Sequence, residues 1–110
     1  MKSFHCDHCE HVLFFGDFNS EIDSEQMRVI TQSPLALRDA RAVSKSAPFG
    51  PSGTFNDFKT APTGPGAIDH VLIGSRVDVE RYSVISQVID GRVPSDHFPV
   101  LVDLRLAQCR

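Results

Sequence analysis

The apolar residues fall into short blocks separated by polar and Pro/Gly-rich stretches, and the period differs from block to block. His11 to Phe15 (HVLFF) is a continuous apolar run closed by Gly16, the pattern of a buried strand. After a polar stretch, Ser24 stands where a side-chain oxygen can cap a helix. Met27 and Ile30 follow at helical spacing, which predicts a helix through Gln32. A second short helix is predicted from Pro34 to Val43, because proline is tolerated at a first helical position. Residues 44–66 hold four of the seven prolines and four glycines, and read as a long loop interrupted by Thr54-Phe55-Asn56-Asp57-Phe58. Loops of this length in small domains are usually functional or mobile. Ala67 to Gly74 (AIDHVLIG) reads as a strand, and the alternation in VDVERY places another within Val77 to Ile89. Asp90-Gly91 signals a turn. Phe98 to Leu106 closes the chain as a strand with Val100, Val102, Leu104 and Leu106 on one face. Four strands and about two helices predict an α+β or layered α/β domain.

Composition narrows the class. The chain has 110 residues, 41% hydrophobic and 23% charged, which fits one folded domain and excludes a largely disordered chain. Three cysteines are too few for a disulfide scaffold. No apolar run is long enough to span a bilayer, and MKSFHCDHCEH has no apolar core of a secretory signal. The net charge is −3, with no basic footprint of the kind that holds a nucleic-acid duplex. Its distribution is uneven. Residues 1–25 carry one base and six acids, whereas residues 26–59 carry five bases and two acids. An acidic segment beside a basic one suits a site that holds a cation next to a phosphate. The cluster His5, Cys6, His8, Cys9 and His11 offers half of a zinc site, but no second half at fitting spacing follows, and Cys109 stands alone. Residues 1–10 therefore read as a leader outside the fold, and residues 11–110 as the domain.

Three segments carry the candidate chemistry: Gly16-Asp17-Phe18-Asn19, Ile68-Asp69-His70 and Ser95-Asp96-His97-Phe98-Pro99. Each sets an acid at a strand end or within a strand. Carboxylates are hard oxygen ligands suited to Mg²⁺ or Mn²⁺, and an aspartate can orient and deprotonate a water. An asparagine amide or a charged imidazole can stabilise a phosphoryl oxygen. Asp69 lies inside an apolar strand, and a buried carboxylate needs a partner; His97 is the natural one. Strand alternation puts His70 on the opposite face from Asp69, in a structural place. Phe14, Phe15, Phe18 and Phe98 are expected in the core.

In this order, GDFNS, IDHVLIG and PSDHFPVLVDL resemble the C-terminal half of the endonuclease/exonuclease/phosphatase superfamily. Its members include DNase I-like nucleases, abasic-site endonucleases, inositol polyphosphate 5-phosphatases, neutral sphingomyelinases and deadenylases. The resemblance covers residues 11–106. It implies an α/β fold, namely the C-terminal half of a four-layer α/β sandwich with mostly antiparallel sheet and flanking helices. It also implies metal-dependent hydrolysis of a phosphodiester or phosphomonoester, with Mg²⁺ or Mn²⁺ as cofactor. By this resemblance Asp17 activates the attacking water, Asn19 binds the scissile phosphate, His97 is the catalytic histidine and Asp69 its partner. Asp96 and Asp17 serve the metal. The patch SGTFNDF is similar to a segment of bacterial hydrolases in the superfamily, which puts Thr54, Phe55 and Asn56 with Asn19 on the substrate side.

The superfamily's catalytic domains are much longer, and their first half supplies a principal metal-ligand glutamate. Glu10, in its HCDHCEH setting, does not match that residue. The expectation is a truncated chain that lacks the N-terminal half of the active site, is inactive alone, and exposes an unpartnered sheet face open to self-association. Two other readings stay open: a non-catalytic phosphate-binding remnant, and a metal-binding interaction module built on the His/Cys leader. The substrate class (nucleic acid, lipid head group or inositol phosphate) and the cellular compartment are not specified by the sequence.

Overall fold

The structure, a computed structural model, describes residues 10–108; the His/Cys leader lies almost wholly outside the described residues. The elements in chain order are β1 (Leu13–Asp17), α1 (Glu25–Thr31), β2 (Arg38–Asp39), α2 (Ala40–Val43), β3 (Asp69–Ile73), β4 (Val77–Val84) and β5 (Val100–Leu106). They form two antiparallel sheets, one in the order β1-β3-β2 and one pairing β4 with β5. One core joins them. Ile73 of β3 and Ala40 of α2 pack with Val77, Val79, Tyr82 and Val84 of β4 and with Phe98. A smaller cluster on the other side of β3 gathers Met27, Leu37 and Leu72. The Arg38 guanidinium donates to the carbonyls of Gly74 and Val77, at 2.7 Å each, and so ties β2 to the turn between β3 and β4.

Local chemistry explains the boundaries. Ser24 caps α1, its hydroxyl accepting from the Met27 N–H at 3.3 Å, as its type and position predict. The helix expected over 34–43 is instead split. Ala36 adopts φ +50°, Arg38 and Asp39 pair with Ile73 and Leu72, and only Ala40–Val43 is helical, capped by Asp39. Sheet pairing here overrides the helical tendency of the segment. β4 ends at Val84, earlier than the apolar run suggests. Asp90 and Gly91, both at positive φ, then form the tip of a tight turn closed by Ile89 and Arg92. The long loop is laid along β4 by hydrogen bonds of Lys45 to Val79 and of Phe49 to Tyr82 and Val84. Gly50, at φ +87°, packs so closely that a Cβ there would collide with the Val84 carbonyl.

β1 departs from expectation. All five of its residues are exposed, with Phe14 at 44% and Phe15 at 69%. The strand pairs with β3 on one side only, and among the described residues nothing pairs with its other edge. Phe14 keeps an edge-on contact with Phe18 at 5.2 Å between ring centres. Phe18 and Phe98 do pack into the interior. On β5, Val100, Val102 and Leu104 pack against the core, whereas Leu106 at the strand end is exposed.

Candidate active site

The first motif lies where β1 ends. Asp17 is the last residue of the strand and pairs in register with Asp69, the first residue of β3. Residues directly opposite in an antiparallel pair share a face, so both carboxylates stand on the same side of the sheet. Asp17 Oδ1 accepts the Asn19 N–H at 2.8 Å, and Asn19 sits at φ +50°, which turns the chain away from the strand. The Phe18 N–H donates to the Ile68 carbonyl at 3.0 Å and holds this turn against the start of β3.

The third motif comes from the loop leading into β5. Phe98, 3% exposed, anchors that loop in the core and leaves His97 at the surface of the site. The Ser95 hydroxyl accepts the His97 N–H at 3.1 Å. The imidazole is flanked by the Phe55 ring, edge-on at 5.4 Å. His97 Nδ1 lies 2.7 Å from Asp69 Oδ1. A carboxylate only accepts, so Nδ1–H is the donor and Nε2 is left facing outward. Nε2 points to Asp17 Oδ2 at 3.6 Å and Asp96 Oδ1 at 4.0 Å. The hydrogen bond that Nδ1–H donates to Asp69 raises the His97 pKa above its usual value. Partial burial opposes the shift, and the charges of Asp69, Asp17 and Asp96 support it.

The carboxylates of Asp17 and Asp69 and the imidazole of His97 offer ligand atoms all within 4.8 Å of one another. Two carboxylates at one point suit a hard divalent cation, with water completing its shell. The Asp17 side chain is half exposed and open to such a cation, whereas Nδ1 of His97 is already engaged by Asp69. The imidazole is therefore better placed to carry a proton than to bind the ion. Beside the trio opens a cavity of about 380 Å³, lined on one flank by Phe15 and Val71 and on the other by Ser95 and His97.

Residues 4–97 match the profile of the Endonuclease/Exonuclease/phosphatase family. The chain belongs to this family. Solved structures superpose closely on it. A mannosyl-6-phosphatase, Bt3783, from Bacteroides thetaiotaomicron VPI-5482 matches with a TM-score of 0.78 at 27% identity, over 87% of this chain and 38% of its own. A conserved protein of unknown function from Enterococcus faecalis V583 matches at 0.73 with 29% identity, over 87% and 36%. A family protein from Bacteroides vulgatus matches at 0.77 with 28% identity, over 87% and 36%. This chain thus spans well under half the length of these relatives. No match was found among curated proteins.

Within this family domain the motif residues do not all stand alike. Asp17, Asp69 and His97 converge, and Asp96 stands at the margin of the trio, outside the metal-capable group. Asn19 is exposed in the turn after Asp17; its backbone N–H donates to Asp17 Oδ1, and among the described residues its side-chain amide makes no hydrogen bond to the trio. Phe55 packs against His97. Thr54 and Asn56, expected on the substrate side, are both fully buried at 0% exposure. His70 is also buried, and its Nε2 donates to the Ser20 carbonyl at 2.6 Å on the far side of β3 from the trio. Ser95 was given no role by the sequence reading. Its place two residues before His97 is the spacing at which a serine hydroxyl captures a backbone N–H, and that was the available signal.

Proposed function

We propose that this chain carries the water-activating and charge-stabilising part of a metal-dependent phosphoesterase site that cleaves a phosphomonoester or phosphodiester. The observation that carries the reading is the His97 pair, with Nδ1 held 2.7 Å from Asp69 and Nε2 turned toward Asp17. Asp69 fixes the tautomer and favours the charged imidazole. Asp17 accepts the proton of the attacking water, and His97 faces the charge that develops on the phosphoryl group or its leaving oxygen. Asn19 supplies an amide to the phosphate once substrate is bound. Asp17, with Asp69 or Asp96 behind it, would hold Mg²⁺ or Mn²⁺, which when bound polarises the phosphoryl oxygen. Likeness to a mannosyl-6-phosphatase supports a sugar phosphomonoester as the first substrate to try.

Two carboxylates and one histidine are a thin ligand set, and this favours a second reading in which the chain by itself binds phosphate without turning it over. NMR of the full chain titrated with Mn²⁺ and inorganic phosphate tests the site under both readings. Broadening centred on Asp17, Asp69 and His97, with phosphate affinity that needs the cation and falls in His97→Ala, supports the assignment. Broadening elsewhere, or phosphate binding indifferent to cation and to His97, overturns it. Turnover then separates the two readings.

A further inference from the structure

The segment Thr54–Asn56 lies under the site and touches both halves of the His–Asp pair. The Thr54 hydroxyl oxygen accepts two backbone N–H groups, from Ile68 at 3.0 Å and from Asp69 at 3.2 Å. The Thr54 carbonyl accepts the Phe98 N–H at 2.6 Å, and the Asn56 N–H donates to the Asp96 carbonyl at 2.8 Å. Between them Phe55 bridges to His97 as an isolated antiparallel pair. Asp69 is thus gripped through its own backbone, and His97 through the residues on either side of it, by three consecutive residues of one loop. β3 and the loop before β5 are otherwise remote in sequence, and they belong to different sheets.

We propose that Thr54 is a positioning residue for the His97–Asp69 pair. Its hydroxyl fixes the height of Asp69 at the start of β3, while its carbonyl fixes the loop that carries His97, so that the 2.7 Å bond between them is set by Thr54. Small displacements matter here, because a hydrogen bond to a carboxylate weakens steeply with distance and angle. Buried side chains that lock the partners of a reacting group act in this way. The inference rests on reading His97 and Asp69 as the catalytic pair, but its test uses neither metal nor substrate.

The test is the tautomer of His97, read from long-range ¹H–¹⁵N correlations of the labelled full chain at a pH where the imidazole is neutral. His97→Gln assigns the signals, and Asp69→Asn calibrates the loss of the carboxylate acceptor. In the unsubstituted protein the proton resides on Nδ1. Thr54→Val, which keeps the shape and removes the acceptor oxygen, is expected to lose the Nδ1–H signature. Thr54→Ser, which restores the oxygen, is expected to regain it. Where the valine variant lacks the amide dispersion of a folded protein, Thr54→Cys takes its place, with a weaker acceptor of similar size. An Nδ1–H signature unchanged in the valine or cysteine variant overturns the proposal, as does an Nε2–H tautomer in the unsubstituted protein. A positive tautomer result with failed phosphate binding would leave Thr54 in its role and remove the phosphoesterase reading instead.

Discussion

Replacing Asp69 by asparagine tests the electrostatics of the pair through stability alone. The His97 pKa is raised in the folded chain above its reference of 6.5, and the first cause is the Asp69 hydrogen bond. A raised folded pKa means that the folded state binds the proton more tightly than the unfolded one. The resulting stabilisation is fully present below the unfolded pKa and is lost as pH rises through the folded value. A hydrogen bond to a charged group contributes about 1.5–3 kcal/mol and a neutral one about 1 kcal/mol. The two side chains are 24% and 21% exposed, so solvent screening puts the difference near the low end. The wild type should therefore lose about 1 kcal/mol as pH rises from below 6.5 through the raised folded value on account of this pair. At a urea m-value of about 2 kcal/mol/M, that is a midpoint shift of about 0.5 M. Asp69→Asn removes the anion and should flatten the profile, although Asp17 and Asp96 leave a residual slope. Urea titrations of both proteins by circular dichroism at several pH values measure this directly. Equal pH slopes in the two proteins would show that the 2.7 Å contact carries no charge-dependent energy.

Other outcomes follow from burial and from the site. Leu72→Ala, at a fully buried position of β3, should destabilise the chain by about 2–5 kcal/mol, and a thermal midpoint within experimental error of wild type would contradict the packing. In a longer, active protein carrying this domain, Asp17→Ala or His97→Ala should lower turnover at least about 10²-fold, and near-normal rates would remove their assigned roles. The chain alone should hydrolyse p-nitrophenyl phosphate with Mg²⁺ or Mn²⁺ at or near background, because its trio supplies few cation ligands; EDTA-sensitive turnover that His97→Ala abolishes would show that the trio suffices. We propose that the exposed edge strand mediates self-association: sedimentation should show a dimer or larger species that Phe15→Lys shifts toward monomer, and a monomeric wild type or an unchanged association state would refute it.

Motif order made the site legible in the sequence before any geometry. An aspartate inside an apolar strand demanded a partner, and His97 was the residue able to meet it, which is the contact the fold makes. The cap at Ser24 was legible for the same reason: its chemistry is local and needs no knowledge of the rest of the chain. Burial was less legible. HVLFF reads as interior because apolar runs are usually covered, but what covers a strand is decided by its neighbours, and β1 has one neighbour among the described residues. The split of the predicted second helix has a similar origin, since pairing of Arg38 and Asp39 with β3 is a long-range event that local propensity does not report. The burial of Thr54 and Asn56 was not legible either, because sequence proximity to a motif does not separate a side chain at the surface of a site from one packed inside the protein.

The register that brings Asp17 opposite Asp69 also sets two acids on the last rung of a β ladder, an arrangement that weakens strand pairing unless a positive charge stands nearby. Asp17 changed to asparagine would relieve the repulsion at little steric expense and leave the Asp69–His97 bond in place, so greater stability lies in the direction of losing that carboxylate. A chain released from selection for this chemistry would have an easy path to a firmer sheet. Here both acids, the histidine between them and the glycine at φ +148° just before the rung stand together, so the proposed site occupies the rung where the sheet has least to gain from pairing.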